Sequence, residues 1–378
     1  MVDPVIRQLG FKRTINAAGH LTVFGGSCPA PRVVKAMGEA ANQWVDMNEL
    51  ERTVGKVLSR TLGCEDGIVT SGAYAASSIA AHTSLAMAKE RSADLSSPNI
   101  VIQSSHLTKY AEAYVTGGIT LKEIRRKSES DSLSKYVDSS TVAIAYVISA
   151  SDYEFSLKET VEASRRLGIP TIVDASIVDP AVRGVKEVLK YDPDLVSVSG
   201  GKGFNGPNSS GLLLGKSISI AKARSLAFPN YGPGRGMKVS KEQIVGLMVA
   251  IELAREAGDT VVEEWQKKIR ELRSSLGSIH GVRTEVLFPW RLNFPQPIPR
   301  LMIYIERKDG EEKAELVRNE LANGTPPIWT RPLWDLVKAK NAIAIEARTI
   351  QSKDIRVVAE SLRIALHRVL ARPTVATA

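Results

Sequence analysis

A lysine in an unusual position is the first candidate for chemistry in this sequence. Lys202 follows the apolar stretch DLVSVSGG, which is predicted to be a buried strand, and precedes a loop rich in glycine and asparagine. Lysine is strongly hydrated and normally occupies exposed surfaces. Two glycines, Gly200 and Gly201, leave space around its side chain. We therefore interpret Lys202 as a reactive amine.

An acid and a turn of small residues follow two other predicted strands. Asp174 ends the strand TIVD, where a buried carboxylate is costly unless it is paired. It is expected either to cap local backbone or to hold a proton on a ligand nitrogen. Ser71-Gly72-Ala73 follows the strand GIVT and opens a long helix of small residues. This turn suits an ordinary strand-to-helix connection, or a cradle of backbone N–H groups for a phosphate or carboxylate.

Three other motifs are rejected. Ser199 and Lys202 match the S-x-x-K of penicillin-binding enzymes, but the sequence lacks S-D-N and K-T-G. The stretch GLLLGKS has one residue too few between its glycines for a P-loop, and no strand precedes GPGRGM as a dinucleotide site requires. The 2 cysteines and 5 histidines show no metal-ligand spacing, so no metal site is predicted.

Alternating strands and helices are expected to position these candidates. Over residues 65–215, short apolar stretches rich in β-branched residues alternate with helical patterns, which predicts an α/β fold with a mainly parallel sheet. Such sheets bind ligands at the carboxyl ends of their strands. From about Ser240, a long helix and a smaller α+β lobe are predicted. The predicted division is a segment 1–50, a large domain 51–239, and a linking helix with a small domain 240–378.

The composition is that of an ordinary globular enzyme. Of the 378 residues, 43% are hydrophobic and 24% charged; the formal net charge is +9, with the basic residues scattered among 41 acids. This pattern favours a small anionic substrate over nucleic acid. No stretch approaches the ~20 apolar residues of a membrane span, and the N-terminus lacks the apolar core of a signal peptide. We therefore expect a cytoplasmic protein that binds neither membrane nor nucleic acid.

One cofactor accounts for the three strand ends together. Pyridoxal 5'-phosphate (PLP) needs a lysine for a Schiff base, an acid opposite its ring nitrogen and a donor cradle for its phosphate. The order cradle, Asp174, Lys202 resembles that of fold-type I PLP-dependent transferases, the aspartate aminotransferase superfamily. The resemblance implies that His106, just after the strand NIVIQ, stacks on the cofactor ring. It also implies that Ser199 and Ser176 belong to the cofactor-binding residues.

Four longer sequence stretches resemble one family within this superfamily. TINAAGHLTVFGGS, SGGKGFNGPNSSGLLLG, GRGMKVSKEQ and NGTPPIWTR are together similar to the selenocysteine synthase-related (SelA-like) family. They are closest to its shorter members, of the D-glucosaminate-6-phosphate ammonia-lyase type. Selenocysteine synthases proper carry an additional N-terminal domain for tRNA, whereas this sequence reaches TINAAG at Thr14. A tRNA substrate is therefore not expected.

The resemblance also implies a reaction. It is a PLP-dependent α,β-elimination on a 2-amino-3-hydroxy acid, such as D-glucosaminate or its 6-phosphate, that gives a 2-keto-3-deoxy acid and ammonia. Racemisation, aldol cleavage, β-replacement and a selenocysteine synthase-like transfer remain the alternatives. Lys202 is expected to remove the α-proton, with Asp174 as electron-sink partner and His106 as an aid to hydroxyl departure.

The resemblance finally implies how substrate is held. Guanidinium and ammonium groups bind carboxylate and phosphate. The basic residues expected to do so are Arg331, Arg348, Arg235 and Lys238. Because the family completes its sites between subunits, we expect a homodimer or a higher homo-oligomer.

Overall fold

The computed structural model describes residues 5, 8–10, 12–91, 95–148, 153–288, 297–331 and 339–372. The chain divides into two compact units. The larger is formed by residues 25–258, and the smaller by the described residues before 25 and after 258. In the described part of the chain, no helix has the length and apolar character needed to cross a membrane. The three-part division made from the sequence stays a prediction.

Strands and helices alternate along the chain. The described strands are β1 (Ile15–Ala17), β2 (Asp66–Thr70), β3 (Asn99–Gln103), β4 (Thr120–Ile124), β5 (Thr141–Val147), β6 (Thr171–Asp174), β7 (Leu195–Ser199), β8 (Gly211–Gly215), β9 (Val282–Leu287), β10 (Arg300–Ile305), β11 (Ile328–Thr330) and β12 (Ala342–Glu346). The described α-helices are α1 (Pro31–Ala41), α2 (Met47–Leu62), α3 (Ala73–Glu90), α4 (Leu157–Leu167), α5 (Ala181–Leu189), α6 (Ser217–Leu226), α7 (Lys241–Ala257), α8 (Thr260–Leu276), α9 (Gly310–Ala322) and α10 (Ile355–Ala371).

A seven-stranded sheet forms the centre of the larger unit. The order across it is β2-β8-β7-β6-β5-β3-β4. β8 runs antiparallel to both of its neighbours, and the other pairs are parallel. β5 and β8 are buried along their whole length. The mainly parallel α/β sheet predicted from the continuous apolar strands is therefore confirmed.

Helices cover both faces of this sheet. On one face, Val173 and Val196 pack in a cluster with residues of α2, α5 and α7. On the other, Ile172 and Leu195 pack with residues of α3 and α6. Since side chains alternate between faces along a strand, consecutive residues of β6 and of β7 pack alternately into the two cores. This double burial explains why the strands are apolar at consecutive positions rather than at every second one.

Capping residues define the helix boundaries. Ser156 and Glu159 form a reciprocal capping box at the start of α4, which ends at Gly168 in the left-handed region. Ser240, from which a long helix was predicted, caps α7, and Gln243 is the returning side chain. The long helix predicted from this point is two helices, α7 and α8. The chain breaks between them at Gly258, whose φ of +53° is unfavourable for other residues.

The smaller unit combines two short sheets with helices. β12, β10 and β9 form an antiparallel sheet, and β1 pairs with β11 in parallel. Their core includes Ile303 and Ile345 from the sheet, Leu272 of α8 and Leu362 of α10. An α+β lobe in the C-terminal part of the chain is therefore confirmed.

Candidate active site

The strand ends predicted from the sequence are neighbours in the larger unit. Thr70 at the end of β2 pairs with Gly211 of β8, and Gly211 pairs with Ser199 at the end of β7. On the other side, Ser197 of β7 pairs with Asp174 at the end of β6. Neighbouring strands lie roughly 4.8 Å apart. The turns that follow β2, β6 and β7 therefore leave the sheet at the same edge.

The turn at Gly72 has the features of an anion cradle. Gly72 precedes α3 with φ +141° and ψ 169°, a combination that is essentially restricted to glycine. No described side chain caps α3, and its first turn carries no acid, so its first N–H groups remain available to a ligand. A Cβ on Gly211 would lie 2.5 Å from the Gly72 carbonyl carbon. Ser199, which pairs with Gly211, lies beside the same turn.

Lys202 lies in the turn that follows β7 and is half-buried. The turn folds back on the residues before β8, where the Gly200 N–H donates to the Ser210 carbonyl at 2.9 Å. A Cβ on Gly200 would meet the Ser210 hydroxyl oxygen at 2.3 Å, and one on Gly201 would meet the Asn208 Cα at 2.8 Å. The two glycines before the lysine are therefore required by the close return of the chain.

An earlier segment holds the loop that follows this lysine. The Ser27 hydroxyl donates to the Gly206 carbonyl at 2.6 Å, and the Asn205 side-chain amide donates to the Cys28 carbonyl at 3.0 Å. We call this pair of contacts the 25–28 clasp. It ties two parts of the chain that are 177 or more residues apart.

Tyr110 is a neighbour of the lysine that the sequence analysis missed. The Lys202 Nζ lies 5.8 Å from the centre of the Tyr110 ring, within the range of a cation–π contact. Tyr110 belongs to the short 3-10 helix Lys109–Tyr114, and its side chain is exposed. The available signal was its position four residues after His106, in the segment that follows β3.

Asp174 is nearly buried, with 9% of its surface exposed. Its Oδ1 accepts a hydrogen bond of 2.8 Å from the backbone N–H of Ser176. The structure thus places Ser176 against the carboxylate through its backbone. A carboxylate has two oxygens, so this local cap is compatible with the second role predicted for Asp174, that of holding a proton on a ligand nitrogen.

His106 is fully buried. It follows β3, and β5 lies between β3 and the strand β6 that ends in Asp174. Its Nδ1 accepts a hydrogen bond of 3.2 Å from the N–H of Val147, which pairs with Asp174 in the sheet. Its ring meets Tyr146 edge to face, with centroids 4.5 Å apart. None of the His106 surface is open to solvent, so stacking on a cofactor ring would require the residues around His106 to rearrange. The stacking role stays a prediction.

Arg331 and Arg348 lie in the smaller unit, where they meet a glutamate. The Arg331 Nη1 is 3.1 Å from the Glu346 Oε2, and the Arg348 Nε donates to Oε1 at 2.5 Å. Arg300, which pairs with Glu346 across β10 and β12, donates to Oε2 at 3.0 Å. We call these four residues the Glu346 cluster. Arg300 and Glu346 were not predicted, because their pairing depends on strand register.

All four side chains of the Glu346 cluster are at least nine-tenths buried. Burial raises the pKa of Glu346, but the guanidiniums of Arg348, Arg331 and Arg300 bring it down to about 2. Burial lowers the pKa of Arg331 to about 10, against the opposing effect of Glu346. The four residues therefore carry three positive charges and one negative charge away from solvent.

Arg235 and Lys238 lie in the loop between α6 and α7. The Arg235 guanidinium lies over the rings of Phe228 and Tyr231, 5.1 and 5.5 Å from their centres. Its Nη1 is buried and has no hydrogen-bond partner among the described residues. Lys238 is exposed. No described contact links either residue to the strand ends.

Comparisons with known proteins give the chain relatives along nearly its whole length. A search against protein-family models finds no match. D-glucosaminate-6-phosphate ammonia lyase of Salmonella typhimurium (strain 14028s / SGSC 2262) is 27% identical over 379 residues, covering 96% of this chain and 98% of the relative. A 5'-C-glycyluridine monooxygenase-decarboxylase of a Streptomyces species is 27% identical over 343 residues, covering 86% and 83%.

Solved structures show that the similarity to these relatives includes the fold. The structure of a D-glucosaminate-6-phosphate ammonia-lyase matches with a TM-score of 0.81 and 25% identity, covering 98% of this chain and 100% of the other. A serine palmitoyltransferase variant from S. paucimobilis, solved with a bound PLP adduct, matches with a TM-score of 0.57 and 14% identity, covering 95% and 88%. The predicted fold class is confirmed, and so is the resemblance to the shorter ammonia-lyase type.

Proposed function

We propose that this chain, a fold-type I relative of D-glucosaminate-6-phosphate ammonia-lyase, is a PLP-dependent lyase. Its reaction is the α,β-elimination of a 2-amino-3-hydroxy acid, with D-glucosaminate or its 6-phosphate as the substrate type. The products are a 2-keto-3-deoxy acid and ammonia. The cofactor is held by the larger unit.

The observation that carries the proposal is the register of β2, β8, β7 and β6. It brings a donor cradle, a carboxylate and a lysine to one edge of the sheet. These are the three groups that PLP needs: donors for its phosphate, an acid for its ring nitrogen and an amine for its aldehyde. The uncapped N-terminus of α3 fits a phosphate, since its first turn offers N–H groups and no acid.

Each residue has a distinct task. When bound, PLP supplies a ring that withdraws electrons from the substrate's α-carbon. Lys202 would hold the cofactor's aldehyde through its Nζ, and the same amine would serve as the base for the substrate's α-proton. Asp174 keeps a proton at the ring nitrogen. Ser71, Gly72, Ala73 and Ser199 hold the phosphate, and Ser176 fixes Asp174 through its N–H.

Arginines supply the substrate contacts in this proposal. Arg331 and Arg348 belong to a cluster with three guanidiniums and one carboxylate, which attracts a further anion. Arg235 is held by two aromatic rings and keeps its charge available. Lys238 adds a second cation in that loop. His106 supports the cofactor ring, and the active form is a homo-oligomer located in the cytoplasm.

Reduction of the loaded protein tests the cofactor site. Protein incubated with PLP is expected to show a visible absorption band that borohydride removes, and peptide mapping is expected to find the reduced adduct on Lys202. Lys202→Ala should show neither. Lys190→Ala is the matched control, because Lys190 is an exposed residue that pairs with Glu187 at 2.6 Å. An adduct on another lysine, or no band, would contradict the proposal.

Product analysis tests the reaction. The holoprotein is offered D-glucosaminate, its 6-phosphate and simple 2-amino-3-hydroxy acids, and keto acid and ammonia are measured in parallel. Equal amounts of the two products indicate elimination. Release of carbon dioxide, a change of configuration at the α-carbon, or an aldehyde product would instead indicate one of the other PLP reactions. The Streptomyces relative, named as a monooxygenase-decarboxylase, makes carbon dioxide a necessary measurement.

A further inference from the structure

A cleft of about 560 Å³ lies beside α2 in the larger unit. Asp66, the first residue of β2, lines it, whereas Thr70 at the other end of β2 leads into the Gly72 turn. Since β2 has five residues and rises roughly 3.3 Å at each step, its two ends are about 13 Å apart. The cleft, which we call the α2 cleft, is therefore at the opposite edge of the sheet from the strand-end residues.

One face of α2 lines this cleft with positive charge. The lining positions of the helix are 52, 55, 56, 59 and 60, the spacing of residues that share one helix face. Arg52, Lys56 and Arg60 are exposed and follow one another at intervals of four residues. None of them has an ion-pair partner among the residues that the structure describes. Like charges at this spacing repel, so the row is unfavourable unless an anion lies against it.

Two acids also line the α2 cleft, but each already has partners of its own. The two carboxylate oxygens of Asp66 accept from the Arg224 Nη2 at 3.0 and 2.9 Å. Glu65 accepts from the Ser217 N–H at 2.9 Å and lies 3.2 Å from the Lys216 Nζ. In the described part of the chain, neither carboxylate forms an ion pair with the row on α2. The charge of the row therefore stays uncancelled.

Gly55 lets α2 approach the ion pair of Asp66 and Arg224. A Cβ on Gly55 would lie 2.3 Å from the Asp66 Oδ1 and 3.1 Å from the Arg224 Nη2. Glycine inside a helix is unfavourable, and this close approach explains its presence here. The Arg224 Nε is buried and has no hydrogen-bond partner among the described residues. The cleft thus combines the row of three cations with a guanidinium that Asp66 holds in place.

The lining residues indicate the chemistry of a ligand. Four cations and the Ser59 hydroxyl can donate hydrogen bonds, which suits phosphate oxygens. Between Arg52 and Arg60 the helix rises roughly 12 Å, a distance that a single phosphate group does not span. None of the described lining residues is aromatic, so the cleft offers no ring on which a nucleic-acid base could stack. Its volume falls in the range of small-molecule pockets.

We propose that the α2 cleft binds a small molecule that carries two or more phosphate groups, with Arg52, Lys56 and Arg60 as its principal contacts. Binding relieves the repulsion within the row. The site is separate from the strand ends, and the inference goes beyond the proposed function without depending on it.

Calorimetric titration with tripolyphosphate tests the site. The protein is first saturated with PLP, so that the donor cradle at α3 is occupied. Native protein should bind tripolyphosphate, and inorganic phosphate roughly tenfold or more weakly, because one phosphate group reaches only part of the row. In the triple variant Arg52→Gln/Lys56→Gln/Arg60→Gln, the Kd for tripolyphosphate should rise roughly tenfold or more, since three charged donors are lost.

Lys158→Gln/Arg165→Gln/Arg166→Gln is the matched control. These exposed residues of α4 remove the same charge from the same unit. Lys158 and Arg165 already lie near Glu162 and Asp192, at 3.9 and 3.0 Å. Because salt screens distant charges, the Kd of the control should stay within about twofold of the native value. An equal loss of affinity in the two triple variants, or no binding by native protein, would overturn the inference.

Three further outcomes are decisive. If the triple variant on α2 does not fold, Lys56→Glu reverses the central charge, and an unchanged Kd in that variant overturns the inference. An RNA oligonucleotide that binds more tightly than tripolyphosphate, and loses its affinity in the triple variant, would show a nucleic-acid site and overturn it as well. If native protein binds no PLP, the proposed function fails, while the difference between the two triple variants still tests the α2 cleft.

Discussion

Two buried carboxylates in this molecule have opposite surroundings. Asp174, in the larger unit, accepts a hydrogen bond from the Ser176 backbone N–H and pairs with Ser197 of the neighbouring strand. Glu346, in the smaller unit, is surrounded by three guanidiniums. Neutral donors orient a carboxylate and leave its charge uncancelled, so Asp174 can act on a ligand. Guanidiniums cancel the charge and leave their own excess, so the Glu346 cluster attracts an anion.

The difference indicates which region each variant should damage. A change at Asp174 should affect chemistry and leave folding nearly intact, because its partners are neutral. A change at Glu346 should affect folding first, because it would leave three charges buried together. The following predictions test this contrast, from the largest expected effect to the smallest.

Asp174→Asn should lower turnover by roughly 10³-fold, about 4 kcal/mol in activation free energy. The amide has almost the same shape, but it carries no charge to retain a proton on the ring nitrogen. The free energy of unfolding should change by less than about 1 kcal/mol. Keto-acid release and denaturant unfolding measure the two effects. Asp138→Asn, at an exposed acid that Lys122 contacts, should leave turnover unchanged. Equal activity in both variants would contradict the prediction.

Glu346→Gln should lower the free energy of unfolding by about 3–5 kcal/mol, because three guanidiniums would lose their buried counter-charge. Urea titration measures the loss. The control is Glu39→Gln, at an exposed acid 3.8 Å from Lys35, where a cost of about 0.5 kcal/mol or less is expected. A cost at Glu346 no greater than at Glu39 would show that the cluster is not held by its carboxylate.

A third buried acid, Glu51, should make the stability of the protein depend on pH. Glu51 of α2 is 2% exposed, and neither of its oxygens has a hydrogen-bond partner among the described residues. Burial raises its pKa from 4.5 to about 7, against smaller opposing effects of the Val69 backbone and Arg224. The folded state therefore binds the proton more tightly than the unfolded state. Stability is lost as pH rises from about 4.5 to about 7.

Glu51→Gln should remove this penalty. The variant is expected to be more stable than the native protein by about 3 kcal/mol at pH 8, and the difference should vanish near pH 4. Unfolding free energies measured across this range provide the test. Glu49→Gln, at an exposed acid of the same helix, should show a much smaller pH-dependent difference. A difference for Glu51→Gln that is constant with pH would contradict the assignment.

Gly72→Ala should weaken the cradle. Its φ of +141° and ψ of 169° cost a residue with a Cβ about 1–3 kcal/mol, although the space around the position is open. We expect a several-fold to hundredfold rise in the Kd for PLP, measured by fluorescence titration. Gly168→Ala is a control at the end of α4, where φ is +64°. It should lower stability without a comparable effect on the cofactor.

The strand-end residues were predictable because their signals are local. A lysine directly after Ser-Gly-Gly, an acid at the end of an apolar strand and a turn of small residues can each be read from a few adjacent letters. The parallel sheet then brings these residues together, because the carboxyl ends of its strands lie at one edge. Lys202, Asp174 and the Gly72 turn therefore needed no knowledge of distant contacts.

The Glu346 cluster was not predictable in the same way. Arg300 and Glu346 are 46 residues apart and meet only through the register of β10 and β12. Register depends on the packing of whole strands, which no short motif encodes. The break at Gly258 was also missed, because the helical pattern continues on both sides of it.

The 25–28 clasp gives the molecule a built-in site for a reporter dye. Cys28 is exposed, whereas Cys64 is buried and its thiol has a pKa raised to about 11 by burial, so a maleimide fluorophore should label one of these two thiols selectively. The backbone carbonyl of Cys28 accepts a hydrogen bond from the Asn205 side chain, in the loop that follows Lys202. A dye on Cys28 would therefore be attached next to this loop. Changes in emission would then report movements of that loop in real time, while the side chains of Lys202, Asp174 and Ser199 remained unmodified.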